Sequence, residues 1–535
     1  MIKFKYKKNI LRNKTKKGSA LAMVLVMIVI IAITLTSLLG YITSQISYSK
    51  DRVERERAFQ IAEAGAYYYR WYLAHQVEGK TAQQISAFWE GTPAPVGVGT
   101  PYTAEFKDPE GTAIGEYKLE VTKPALGSTI VIVKSTGWTY KKPSAMRVVQ
   151  VRFRRPSWSE YVMLANDNMR FGSGTTVNGK IHSNKGIRFD GLATNVVSSS
   201  FSSYQDPDHS GGPEFGVHTH VNAPPSSGVN DNARPLEEPP NPVQSRTDVF
   251  QAGRQFPVAQ MDFTSVISDI SYMRTQAIAT STKFDNSGKG RLINLKTDGT
   301  FDMCTVNSYD VDSSGGSSST HSNSITDYTG VVWGASSGNG SACVTTACCY
   351  QGSCSWIQSS NHNKGKCSSL SNYTIPNNGV IFVANNIWLE GTINGKKISI
   401  VAAELTDESG YTGGAKDVYL GMNNLLYTNT DGSDILGVIA QQDIEVIRDS
   451  LTNLTIDGAL LAQNGRVGRD YYNGITRNSI TVNGSMATNQ RYGFAYTDNT
   501  GYLTRNLNFD NNLLYYPPPY FPTGTEYSID QWDEL

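Results

Sequence analysis

The residues best equipped for chemistry lie in the middle of the chain. Five cysteines, Cys343, Cys348, Cys349, Cys354 and Cys367, cluster there, and Cys304 lies upstream. An even cysteine count in a polar loop points to disulfides, because such a loop has too little apolar content to hold itself by burial. Six cysteines allow fifteen pairings, and spacing does not choose among them. A zinc site built from these thiolates with His362 is the alternative, but the spacing matches no standard zinc pattern. His218-Thr219-His220, together with His209 and Asp208, has donor types that a metal accepts. Set among Pro, Gly and Ser with no acidic partner pattern, these residues read as a solvated loop. No metal site and no cofactor is therefore expected.

Three further motifs carry little. Gly334-Ala335-Ser336-Ser337-Gly338 has the spacing of a nucleophile elbow. That chemistry needs a strand-to-helix turn, and no helical pattern follows. Asp310-Val311-Asp312-Ser313-Ser314-Gly315 begins like a calcium loop, but His321 stands where a bidentate Glu is required. No Gly-rich loop follows a strand, so nucleotide binding has no support. With 47 basic and 47 acidic residues the net charge is zero, and there is no electrostatic case for nucleic acid.

The element that must position everything else is near the N-terminus. No charged residue occurs from Gly18 to Ser49. About 20 apolar residues rising 1.5 Å each cover the ~30 Å hydrocarbon core of a bilayer. The run is longer than the ~7–15-residue core of an ordinary secretory signal. Lys3, Lys5, Lys7, Lys8, Arg12, Lys14, Lys16 and Lys17 precede it with no acidic residue, so the N-terminus stays cytoplasmic and the remainder is external. All six cysteines then face the oxidising side, which favours disulfides.

The junction Lys17-Gly18-Ser19, a basic leader abutting an apolar helix, resembles the class III signal of type IV pilins and pseudopilins. Arg55-Glu56-Arg57-Ala58-Phe59-Gln60-Ile61-Ala62-Glu63-Ala64-Gly65 is similar to the Ala-Phe-Gln-x-Ala-Glu-Ala segment of PilX-type minor pilins. The likeness covers about residues 12–75. It implies cleavage between Gly18 and Ser19 by a prepilin peptidase, methylation of the new N-terminus, and packing against other pilin subunits. It also implies a single-pass cytoplasmic-membrane protein before assembly and a surface or pilus protein afterwards. Most members carry a Glu as fifth mature residue, taken to pair with a neighbour's N-terminal ammonium. Here that filament-packing position is Met23. The resemblance thus implies a low-copy, tip-located subunit rather than the repeating shaft.

The rest is read without the family. Residues 1–18 are leader, and removing their eight basic residues leaves the chain acidic. Residues 19–90 form a long helical region, transmembrane over 19–42. Phe59, Ala62, Ala66, Tyr69 and Leu73 make an apolar stripe at helical spacing, and Gly79 is available as a C-cap. Thr81–Trp89 reads as a short second helix. Residues 91–156 read as a small antiparallel β domain with strands at Tyr102–Phe106, Glu116–Thr122, Ser128–Thr136 and Arg147–Arg154.

An internal repeat follows. Val177-Asn178-Gly179 through Asn184 resembles Ile456-Asp457-Gly458 through Asn464 and Val482-Asn483-Gly484 through Asn489. Residues 157–200 and 375–522 are therefore one repeat domain. It is read as a parallel β-helix, because the segments after each turn are alike too. An antiparallel sandwich with Asn-Gly hairpins is the alternative. Residues 201–374 read as an insertion holding the Cys-rich loop and a helix near Val266–Ala279. The aromatic-proline strip Tyr515–Pro522 is expected to seal the last coil or lie on a sheet edge, and 523–535 to be a tail.

The expected function is a minor pilin or pseudopilin of a type IV pilus or related filament. It would present a large external β domain for adhesion or partner binding, with a surface or a glycan as the candidate ligand, and it is not read as an enzyme. The rival is a membrane-anchored β-helix enzyme acting on polysaccharide, with Asp443, Asp449, Asp457 and Asp470 as candidate carboxylates.

Overall fold

The computed structural model describes residues 19–125, 128–230, 235–308, 343–344, 347–350, 353–356, 366–408 and 410–535. It is a long N-terminal helix followed by a mostly-β body with large parallel sheets.

Helix α1 runs Ser19–Val77, and its 59 residues at 1.5 Å each span ~90 Å. Its two halves differ. From Leu21 to Ile46 the large apolar side chains are exposed, and the helix is long and apolar enough there to cross a membrane. The hydroxyls in this half donate back into the helix, Thr36 to Ala32 O at 2.8 Å and Thr43 to Leu39 O at 2.9 Å. These threonine hydroxyls thus find partners without water, as a bilayer requires. In the second half Ala58, Ala62, Ala66, Tyr69, Leu73 and Val77 form a buried stripe, while Phe59 is half-buried. Gly79, at φ +70°, ends the helix. Thr81 then caps α2 (Ala82–Glu90) in a reciprocal box with Gln84.

The stripe lies on an antiparallel sheet of β1 (Tyr102–Lys107), β2 (Ala113–Thr122), β3 (Ile130–Thr139) and β4 (Lys142–Arg154). Alternate residues Val131 and Val133 of β3, and Val149, Val151 and Phe153 of β4, point at the helix and are fully buried. The approach is close: a Cβ on Gly137 would come within 2.3 Å of Ala58 O. A fifth strand, β5 (Ser528–Glu534), pairs antiparallel with β4. The expected tail at 523–535 is therefore part of this first sheet. Asp530 accepts from Arg152 Nε at 2.9 Å, and Trp532 packs on Tyr67 with ring centroids 5.7 Å apart.

Beyond Pro156 the strands pair in parallel. One ladder places Ile381, Ile400, Val438, Leu460, Met486, Met163, Ile181 and Val197 in a single column. Every member is fully buried. The alternate residues Phe382, Val401, Ile439, Leu461, Ala487 and Leu164 are buried on the other face, under helix α3 (Val266–Ala279), Leu513 and Phe521. Burial on both faces is why these strands read as unbroken apolar runs.

The column also explains the split repeat. Numbers rise from 380 to 488, and then the ladder continues with Met163. The segment from Met163 extends the stack in one direction to Arg254–Gln255, which pairs with Val197–Ser198. Lys283–Phe284 and Gly290–Leu295 lie at the other end, pairing in parallel with Phe382–Val383 and Ile387–Gly391. Between them α3 carries the chain back along the outer face. The boundaries expected for the insertion, 201–374, are thus too wide, since several of its segments are rungs of the ladders. The Tyr515–Pro522 strip neither seals an end nor follows an edge. It crosses the outer face, where Ser399 Oγ donates to Pro519 O at 2.6 Å and Pro518 packs on Gly437.

Candidate functional site

The chemistry-bearing cluster sits where two short pairings meet. Ser203–Tyr204 and Glu214–Phe215 form an antiparallel pair whose loop carries Asp206 and His209. Val217–His218 then pairs in parallel with Ile187–Arg188. Gly216 joins the two, and only hydrogen fits there, because a Cβ would come within 1.7 Å of Phe201 O. This turn brings Asp206, His209, Glu214, His218 and His220 together, with one donor atom of each within 4.8 Å of all the others.

The cluster is closed to solvent. His218, His220 and Glu214 are 0% exposed, and the Asp206 and His209 side chains 2%. Glu214 Oε2 is 3.3 Å from His209 Nε2 and 3.0 Å from His220 Nε2, and it also contacts His218 Nε2. Asp206 Oδ2 lies 3.4 Å from His218 Nε2 and 3.8 Å from His209 Nε2. These contacts to His209 and His218 lack hydrogen-bond geometry, and the Nδ1 atoms of both rings have no hydrogen bond among the described residues.

A second layer orients the donors. His220 Nδ1 is 2.8 Å from Asn230 O, so Nδ1 carries the proton and Nε2 points inward. The His220 backbone N–H donates to Asp190 Oδ1 at 2.8 Å, and Arg188 Nε donates to Asp190 Oδ2 at 2.8 Å. Burial by itself would depress the His218 imidazole, but Asp206 and Glu214 carry it above its ordinary value. Burial by itself would raise the Glu214 carboxyl, but His218 and His220 bring it well below the usual range.

The solvated-loop reading of these histidines does not fit the structure, which buries them. Asp208, expected beside them, is instead held by Arg491 in a bidentate pair at 3.0 and 2.6 Å. The carboxylates are Asp206 and Glu214, which were not singled out from the sequence. The available signal was Glu214-x-x-x-His218-x-His220, whose donors only a hairpin brings together.

No family model and no curated protein matches the chain. Among solved structures, the crystal structure of the competence-associated pilin ComZ from Thermus thermophilus is similar at a TM-score of 0.31 and 13% identity. That match covers 90% of this chain and 97% of the other. A likeness of that size assigns nothing to this chain.

The other candidates lie apart. Met23 is on the exposed apolar half of α1, 67% exposed. Cys304 is buried and disulfide-bonded. The side chains of Cys343, Cys348, Cys349, Cys354 and Cys367 lie outside the described residues, as do Gly18, His362, the Gly334–Gly338 motif and the Asp310–Gly315 loop. The side chain of Ser19 is likewise not described. Asp457 accepts from Asn483 Nδ2 at 2.8 Å and from the Tyr427 N–H at 2.9 Å. Asp443 accepts the Arg466 N–H at 2.6 Å, and Asp470 pairs with the Arg466 side chain.

Proposed function

We propose that this chain is a minor pilin or pseudopilin, anchored by α1 and carrying its β body outside the membrane. The observation that carries the proposal is the contrast along α1. Among the described residues nothing packs on the uncharged apolar half, and it runs without a break into a half whose small-residue stripe is buried under an antiparallel sheet. An all-round apolar helix needs lipid or other helices. A filament core of like helices meets that need after assembly, and the membrane meets it before.

On this reading a prepilin peptidase cuts between Gly18 and Ser19, and Met23 removes the carboxylate that sets register in the shaft. An unpaired charge there would cost at least ~2.5–3.5 kcal/mol on insertion scales, so its loss is tolerable mainly at a tip. The stacked parallel ladders are read as coils of a β-helix, whose bulk also suits a tip and whose role is adhesion or partner binding. No catalytic role is proposed, since Asp443, Asp457 and Asp470 are each engaged in hydrogen bonds or ion pairs that hold the fold.

N-terminal sequencing of the mature protein tests the assignment. A start at Ser19, N-methylated, is expected. A start at Met1 or beyond the apolar run would overturn it. Labelled protein spread evenly along filaments at the major subunit's copy number would remove the tip placement alone.

A further inference from the structure

We propose that Asp206, His209, Glu214, His218 and His220 bind one first-row divalent metal ion, with Zn2+ as its natural probe. The site would be closed and structural, and would pin the 203–230 segment to the parallel stack. Three observations lead there independently of the pilin reading.

The first is the donor set. Three imidazoles and two carboxylates are the mixture that first-row transition ions take, whereas Ca2+ and Mg2+ prefer oxygen throughout. The second is spacing. Metal–donor bonds of about 2.0–2.2 Å put neighbouring donors ~3–3.6 Å apart and opposite ones at most ~4.4 Å apart. The separations of 3.0, 3.3, 3.4 and 3.8 Å have this scale, and the 4.8 Å bound on all five atoms exceeds it by only a few tenths of an ångström. The third is the unmet demand. Glu214 Oε2 stands against the Nε2 atoms of His209, His218 and His220, and Asp206 Oδ2 against those of His209 and His218; the contacts to His209 and His218 lack hydrogen-bond geometry, and the Nδ1 atoms of these two rings have no hydrogen bond among the described residues. Buried polar groups left this way are costly, and a metal converts the inward-facing ones into ligands. The Asn230 carbonyl on His220 Nδ1 is the outer partner typical of a ligating histidine.

The role follows from placement. The donors are all buried, so the ion has no position left for substrate. They come from the loop and second strand of the 203–215 hairpin, and from the strand joined to Ile187–Phe189 and the residue just beyond it. Binding would thus fasten a polar segment that has few apolar residues of its own. Because a preformed site does not persist in the unfolded chain, metal free energy appears as folding free energy.

The test uses the untagged full-length protein in detergent. It is stripped with a chelator, incubated with Zn2+ and desalted. About one zinc per chain is expected, and the melting midpoint should rise with loading. His218→Ala with His220→Ala should reduce bound zinc at least tenfold. Since that variant could also misfold, the wild-type protein is loaded with Co2+ in parallel. Visible ligand-field absorption without a thiolate charge-transfer band is expected for nitrogen and oxygen donors. Zinc below a tenth of an ion per chain after loading would overturn the proposal. So would stoichiometric metal that survives both substitutions, or a Co2+ spectrum with the thiolate band, since either would place the ion at the cysteines.

Discussion

Asn483 uses its side-chain amide on both sides. It donates to Asp457 at 2.8 Å and accepts from Asn508 Nδ2 at 2.9 Å, and Asn508 Oδ1 in turn accepts from Asn178 at 2.8 Å. Asn178, Asp457 and Asn483 are repeated positions of the sequence, and Asn508, outside the repeat copies, stacks in register between Asn483 and Asn178. Asn483→Ala leaves partners on two rungs unmet and should cost ~1–3 kcal/mol, read as a lower urea midpoint with unchanged slope. Gly484→Ala should cost more, because φ is +152° and a Cβ would meet Gly458 O at 1.9 Å. Equal midpoints for both variants and wild type would contradict the ladder. The repeat was legible because identical rungs need identical residues. The Asn-Gly pair alone was ambiguous, since a hairpin turn uses the same dipeptide. The histidine cluster was not legible, because its donors converge only after a hairpin and a parallel pairing have both formed.

The elements with the clearest local signals stand close to where the sequence puts them. Helix α3 occupies Val266–Ala279, and α1 ends before Gly79. Sequence pattern did not reveal what α3 packs against, because the strand at Val380–Val383 and helix α2 are both distant from it in the chain. Its Asp269 faces a cleft shared with Trp89 and Arg155. Burial pushes the Asp269 carboxyl up to about 7, with Arg155 pulling the other way. In the unfolded chain this group titrates near ~3.9. Between about pH 4 and pH 7 the folded protein therefore holds a proton that the unfolded chain has released, and stability falls as pH rises through that window, by up to ~4 kcal/mol. Asp269→Asn does not titrate. Its advantage over wild type should be absent near pH 4, grow to pH 7 and then level off. Urea midpoints at a series of pH values measure this, and a constant offset would reject the assignment.

At the scale of the whole molecule, the first sheet is closed by the last strand. Asp530 and Arg152 are 378 positions apart, yet they form an ion pair at 2.9 Å. Nothing in a short charged segment announces a partner so remote, which is why 523–535 read as a tail. The consequence is that the parallel body is inserted into the helix-and-sheet unit through two adjacent strand ends. Trp158 N donates to Pro522 O at 3.1 Å and Gly524 N to Pro156 O at 2.8 Å, and Ser157 bridges Thr523 antiparallel. These contacts already have the geometry of a hairpin stem. Replacing residues 158–522 by Asn-Gly should close it with a two-residue turn. The product should keep α1, α2 and the five-stranded sheet and should unfold cooperatively in detergent. A chain that retains the body but stops before Glu526 should lose that cooperativity, because β4 becomes an unpaired edge and Trp532 no longer covers Tyr67. If the excised unit were unfolded while the truncated chain kept a native-like first sheet, the body would be the scaffold and the helix-and-sheet unit its appendage, the reverse of the order argued from these strand ends.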